Sequence, residues 1–211
     1  MVIVSGTGHV SWPNGDVDAA TVAKQELRRR LLGRRRALTR GQRAAAAGVL
    51  SEVVLGLVRE LGATTVAAYV PAAREPGSAL LLEALRAAGT RVLLPVVLAD
   101  GDLDWTAYAA HLATGRCGML EAAGDRLGVG AVTQADLVVV PAIAVDAAGA
   151  RLGRGGGSYD RALGRVPSGI PLLALLHDGE LVEQVPVQPH DLPVTMAATP
   201  SGGLMVVQAD R

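Results

Sequence analysis

A chain of 211 residues is long enough for one sizeable domain, and half of its residues are hydrophobic, yet it has no Phe and only 2% aromatics. Ala, Val and Leu must therefore fill the core. Twenty basic residues balance twenty acidic ones, so no overall field draws the chain to nucleic acid or to a membrane surface.

The single Cys117 excludes an internal disulfide and suits a reducing cytoplasm. The first residues lack the basic start and apolar run of a signal peptide. No stretch reaches the roughly 18 apolar residues of a membrane span. A soluble, cytoplasmic protein is expected. Residues 1–17 mix Gly, Pro and polar residues without a period and read as a flexible extension, leaving 18–211 as a single α/β domain.

Asp18 is placed to cap a helix through "AATVAKQELRRRLLGRRRAL". Thr39 and Gln42 have the spacing of a capping box and open a second helix, which should stop near Gly62. "TTVAAYV" (64–70) is short, β-branched and closed by Pro71, as a buried strand would be. Ser78 opens a further helix that ends at Gly89. Strands are expected at 91–95 and 103–108, and "DLVVVPAIAVD" (136–146) carries the most apolar strand of the chain. A helix at "YDRAL" and strands at 171–176, 194–199 and 204–208 complete the pattern. Helices alternating with continuous apolar strands predict a mostly parallel sheet with helices on both faces.

The densest chemistry lies at "RLGRGGGSYDRAL" (151–163). Gly153, Gly155, Gly156 and Gly157 fall within five positions, and Arg151 and Arg154 bring positive charge to the same place. Between a buried strand and a helix, such a loop offers backbone N–H groups to an anion. The plain alternative is a glycine-rich surface turn. A dinucleotide fingerprint fits poorly, because Ser158 stands at its last glycine and the loop comes late in the chain. A Walker loop would need a Lys after the glycines. Phosphate is expected, but neither common phosphate motif explains it.

Residues 24–43 hold nine of the twenty basic residues. A solvated basic face and an RNA-binding helix are both open readings, although aromatics to stack on bases are scarce. Lys24 is the one lysine against 19 arginines, a compact point charge where the composition otherwise chose a planar fork. Arg28, four residues on, shares its helix face. Asp160 can hold Mg²⁺ on a polyphosphate or cap the following helix. Glu75 follows a strand end, where α/β folds place ligands, or is a plain loop glutamate. "PHD" (189–191) offers His190 and Asp191, again with two readings. His9 and His111 have no partners at ligand spacing, so no zinc site is expected.

Together these stretches resemble the 5-formyltetrahydrofolate cyclo-ligase family, also called methenyltetrahydrofolate synthetases. The resemblance runs from Lys24 to Thr199 through "KQELR", "YVPAAREPGS", "LLPVV", "ADLVVVPAIAVDAAGARLGRGGGSYDRAL" and "VPVQPHDLPVT". The fourth stretch is the specific one. The resemblance implies a sugar-phosphate isomerase/CoA-transferase-like fold and an ATP- and Mg²⁺-dependent ring closure of 5-formyltetrahydrofolate to 5,10-methenyltetrahydrofolate. It implies that Lys24 and Arg28 bind ATP phosphates and that Arg151 with Gly153, Arg154, Gly155, Gly156, Gly157, Ser158 and Tyr159 cradles them. Asp160 and Asp191 would hold Mg²⁺. Glu75, Val70, Arg154 and Ser158 would contact the folate, with Arg151 and Tyr159 at the reacting groups. Both partners are small molecules, with neither nucleic acid nor membrane involved, and a monomer is expected. Gly156, Ser158, Glu180 and Thr195 depart from residues common in the family, which leaves open a related ATP-using or CoA-transferase-like enzyme with a non-folate substrate.

Overall fold

The computed structural model describes residues 17–72, 74–110, 112–114, 120–122 and 124–207. His9, His111, Cys117 and all of the expected extension but Val17 lie outside them. The first helix, α1 (Val17–Ala37), contains Asp18 within its length rather than ahead of it. Thr39 then caps α2 (Arg40–Leu61) with the expected box. Its hydroxyl accepts from Gln42 N at 3.2 Å, and the Gln42 amide oxygen accepts from Thr39 N at 2.9 Å. Gly62 ends α2 in the left-handed region, where a side chain would be strained.

The strands β1 (Thr65–Ala67), β2 (Arg91–Val97), β3 (Leu103–Ala107), β6 (Leu137–Pro141), β9 (Leu172–Leu175), β10 (Met196–Thr199) and β11 (Gly203–Val206) form one sheet, ordered β11-β10-β9-β6-β1-β2-β3. Its five central strands are parallel, and only the edge strands β3 and β11 run antiparallel. Two short hairpins stand apart: β4 (Leu112–Thr114) with β5 (Leu120–Ala122), and β7 (Ala144–Val145) with β8 (Arg151–Leu152).

Ser78 caps α3 (Ala79–Ala87) through a bond from Leu81 N. Helices α2 and α3 bury Leu50, Val54, Leu57, Leu82 and Leu85 on one face of the sheet. The short α4 (Ser158–Leu163) and a 3-10 turn at 129–134 cover the other, where Trp105, Val138, Val140, Leu163 and Leu172 pack. Each fully buried Leu contributes on the order of 2 kcal/mol, so two aliphatic layers hold the fold without Phe. A third, smaller cluster seats α1, through Leu27 and Leu31, on Ile143, Ala144 and Leu152 of the β7–β8 hairpin.

The apolar run at 136–146 divides rather than continuing as one strand. β6 stops at Pro141, and Asp146 folds the chain back by accepting Ala148 N and Ala150 N on one oxygen, both at 3.0 Å. This turn carries Arg151 and the glycines after it toward the carboxyl ends of the parallel strands. β1 is shorter than its apolar run for a related reason: beyond Ala68, which still bonds Leu93 O at 2.9 Å, the chain leaves the sheet to form the pocket wall.

Candidate functional site

From β1 the chain runs to β2 on one side, while β6 joins β1 on the other. Ligands of open parallel sheets bind where the strand order reverses in this way. A cavity of about 600 Å³ lies there. Its floor comes from strand ends, and Pro71, Pro95 and Pro141 all contribute. Pro71 follows β1, Pro95 lies within β2 opposite Trp105 and Pro141 ends β6, each at a place where no ladder N–H is required of it. The opposite wall is the loop from Gly153 to Asp160 with Arg151, and Val70 and Glu75 close the cavity from the β1 side.

Arg151 is buried beneath the loop and donates from Nη2 to the Asp160 carboxylate at 2.7 Å. A Cβ on Gly153 would stand only 2.9 Å from Arg151 Nη1, so a side chain there would push the guanidinium from its place under the loop. Gly157 precedes α4 with φ 67°, a conformation other residues adopt only under strain. Asp160 does not cap α4; that place belongs to Gly157. Its Oδ1 takes Arg151 and the backbone N–H of Leu192 at 3.3 Å.

Two buried polar atoms in this wall have no hydrogen-bond partner: Arg151 Nε and the Tyr159 hydroxyl. Burial, and secondarily the nearby Glu75 charge, push the Tyr159 hydroxyl above its ordinary value, so it stays protonated and can donate. Buried donors without partners are costly in a folded chain, and a cavity wall is where a ligand can satisfy them.

Glu75 receives Ala72 N on one oxygen at 2.9 Å and Arg154 Nε on the other at 2.8 Å. Arg154 is largely exposed while Glu75 is nearly buried, so the pair reaches from the glycine loop to the β1 loop over the cavity. Helix α1 approaches from a third side. Arg28 donates to Gly153 O at 2.8 Å, and Lys24 is buried between Gln188 and Asp191, bonding Gln188 Oε1 at 3.0 Å and pairing closely with Asp191. Neither Lys24 nor Asp191 forms part of the cavity wall. The contact between Leu192 N and Asp160 nevertheless brings the 186–192 loop against the glycine loop.

The structure thus gathers Val70, Glu75, Arg151, Gly153, Arg154, Gly155, Gly156, Gly157, Ser158, Tyr159 and Asp160 around one cavity, with Arg28, Lys24 and Asp191 at its edge. Sequence reasoning missed Tyr69, Pro95, Val97 and Leu103 in the wall. It also missed two arginines on and just after α4: Arg161 donates to Gly101 O at 2.6 Å, and Arg165 grips Asp102 with bonds of 3.0 and 2.5 Å. Recurrent proline after an apolar run was the available signal for the first group. Nothing local marks the second.

The sequence matches the model of the 5-formyltetrahydrofolate cyclo-ligase family over residues 20–200. The chain belongs to this family. A 5-formyltetrahydrofolate cyclo-ligase of Mycolicibacterium smegmatis is 38% identical over 192 residues, covering 88% of this chain and 98% of the relative. One of Escherichia coli is 33% identical over 173 residues, covering 80% and 95%. The fold matches the solved 5,10-methenyltetrahydrofolate synthetase of Aquifex aeolicus with a TM-score of 0.71 at 26% identity, covering 89% of this chain and 94% of that one. Against the Mycoplasma pneumoniae synthetase the TM-score is 0.66 at 20% identity, a likeness of fold, over 82% and 96%. Two of the stretches that carry the resemblance, the glycine run and the "YVPAAREPGS" run, meet in this cavity.

Proposed function

We propose that this protein is a 5-formyltetrahydrofolate cyclo-ligase, converting 5-formyltetrahydrofolate and ATP to 5,10-methenyltetrahydrofolate, ADP and phosphate. The observation that carries the reading is the composition of the cavity. One wall is a glycine loop with arginines beneath and beside it, suited to a polyphosphate. The other is apolar, with the single anchored carboxylate of Glu75, suited to a flat heterocycle that offers N–H donors.

In this reading the formyl oxygen of the folate attacks the γ-phosphate of ATP and ADP departs. N10 of the folate then adds to the phosphorylated carbon, and phosphate leaves as the ring closes. The chain supplies placement and charge rather than a covalent nucleophile. Arg151, Arg154, Arg28 and Lys24 are assigned to the phosphates, with the backbone from Gly153 to Tyr159 around them. Arg154 and Ser158 also face the folate. Glu75 holds the pterin and Val70 packs on it. The protonated Tyr159 hydroxyl and Arg151 Nε face the reacting groups, where each finds a partner.

Mg²⁺ binds nucleotide sites through one or two carboxylates together with phosphates and waters. Asp160 on the cavity wall meets that requirement, and Asp191 lies beside Leu192, whose N–H Asp160 accepts. These two carboxylates would hold the ion, which neutralises charge on the transferring phosphoryl group when bound. Asp191 would have to share its carboxylate with Lys24. No described helix is long and apolar enough to cross a membrane. A cytoplasmic monomer, a single domain over 18–211 and a separate N-terminal extension complete the proposal.

The test is direct. Protein, 5-formyltetrahydrofolate and Mg²⁺ are mixed, ATP is added, and the methenyl product is followed by near-ultraviolet absorbance. A rise that requires ATP is expected. No rise from protein that still binds ATP would overturn the folate assignment while leaving the phosphate loop standing.

A further inference from the structure

Arg35 and Glu180 form a salt bridge in which each side chain is only 3% exposed. The pair is bidentate: Nε reaches Glu180 Oε1 at 2.6 Å and Nη2 reaches Oε2 at 2.8 Å, while Nη2 also donates to Ala142 O at 2.6 Å. Ala142 belongs to the cavity floor. On the other side, Glu180 Oε2 accepts the backbone N–H of His177 at 2.8 Å, and the His177 ring stands 3.3 Å from Arg74 O, the carbonyl directly before Glu75. Burial lowers the affinity of His177 for a proton, which suits a neutral ring donating from Nε2 to that carbonyl.

One chain of contacts therefore runs from α1 through Arg35, Glu180 and His177 to the loop that holds Glu75. The same helix presents Lys24, Arg28, Leu31 and Arg35 at spacings of 4, 3 and 4, which is one helical face. Leu31 is fully buried on that face. Aliphatic burial is non-directional, whereas a bidentate fork with a third bond to a carbonyl specifies distance and angle. Removing two charges from water is expensive, and such a pair is often no more stabilising than apolar residues of the same volume. Its value here is geometric.

We infer that the Arg35–Glu180 pair is the positioning element of this site: it fixes the register of α1, and with it Lys24 and Arg28, while holding the Glu75 loop through His177. Both residues act through others and touch neither substrate. The inference rests on the assignment of Lys24 and Arg28 to ATP and of Glu75 to the folate.

The experiment compares Arg35→Met, Glu180→Gln and the double variant Arg35→Met/Glu180→Met with wild type. It measures Tm and the KM for ATP and for 5-formyltetrahydrofolate, with Lys24→Met as control. Arg35→Met strands a buried carboxylate and should lower Tm. The double variant should regain most of that Tm, yet keep a KM raised about tenfold for both substrates. Glu180→Gln keeps one acceptor oxygen, able to serve Arg35 Nη2 and the His177 N–H, but sets an NH2 against Arg35 Nε, and should raise both KM values a few-fold. A double variant or a Glu180→Gln protein that folds with both KM values within twofold of wild type overturns the inference. KM values that recover in step with Tm also overturn it, because the pair would then serve stability alone. If Lys24→Met leaves the KM for ATP unchanged, the assignment of α1 to ATP fails and the inference falls with it. If Lys24→Met raises that KM while the double variant does not, the inference alone fails.

Discussion

Arg154 joins Glu75 at 2.8 Å although the two residues are 79 positions apart, so a residue of the phosphate loop occupies the carboxylate assigned to the folate. The bond ties the two walls of the cavity at its open side. An exposed arginine in such a pair contributes little to stability, commonly below about 1 kcal/mol. Arg154→Ala should therefore leave Tm within roughly 2 °C of wild type by thermal denaturation. Glu75→Gln should raise the KM for 5-formyltetrahydrofolate tenfold or more with a smaller effect on ATP. Equal changes in both KM values would argue against a folate-specific role for Glu75.

Lys24, assigned to the ATP phosphates in the proposed function, also has a structural role. Its ammonium lies between Gln188 and Asp191 with 6% of the side chain exposed, so Lys24→Ala leaves a largely buried carboxylate with the Gln188 N–H but without its ammonium partner. The family resemblance by itself implies that this variant would weaken ATP use without altering the fold. Burial changes that expectation to a loss of about 1–3 kcal/mol, read by urea denaturation. Lys24→Ala/Asp191→Asn should recover part of the stability but not the KM for ATP.

Asp160 is held by Arg151 and by Leu192 N on a single oxygen. Asp160→Asn keeps the shape and loses the charge, and the Mg²⁺ concentration needed for half-maximal rate should rise at least tenfold. A Mg²⁺ titration superimposable on wild type would remove Asp160 as a ligand.

Gly157 and Gly156 stand side by side and should respond differently. Gly157 has φ 67°, and a Cβ there would meet Arg161 Nη1 at 3.3 Å, whereas a Cβ at Gly156 meets nothing closer than Ser158 Oγ at 3.7 Å. Gly157→Ala should cost about 1–2 kcal/mol. Gly156→Ala should cost less than about 0.5 kcal/mol, as open sites do. Similar melting temperatures for the two variants would contradict this geometry.

The hydrogen bonds from Arg165 hold the Asp102 carboxyl below its ordinary value of 3.8, against the opposing effect of burial. A carboxyl whose folded value lies below its unfolded value stabilises the fold above the unfolded value, and that contribution is lost as pH falls through the folded one. Asp102→Asn should therefore be less stable than wild type at pH 7, with the difference shrinking below about pH 4. Denaturation midpoints at pH 7 and pH 3 measure it, and a constant gap would refute the linkage. Because Arg165 follows α4, the same variant reports on how firmly the glycine loop is backed.

Local signals were legible where short-range physics decides. The Thr39–Gln42 capping box, the Ser78 cap and the left-handed Gly62 need only their neighbours in sequence, and each stands where the residues predict. The parallel sheet was legible because buried strands must be apolar throughout, and the glycine run because close backbone approach needs residues without side chains. Hydrophobicity alone could not divide 136–146 into β6 and β7, because both halves are buried; β6 ends at Pro141, and β7 belongs to a separate hairpin with β8, closed by the turn that the Asp146 side chain makes on its own backbone. Likewise nothing near Arg35 in sequence announces Glu180, nor does Glu75 announce Arg154. Motifs and spacing, together with the family resemblance, marked which residues could carry the chemistry. Only the tertiary fold decided which charges meet, because ion pairs form across strand ends brought together by burial of the two apolar layers, not by proximity along the chain.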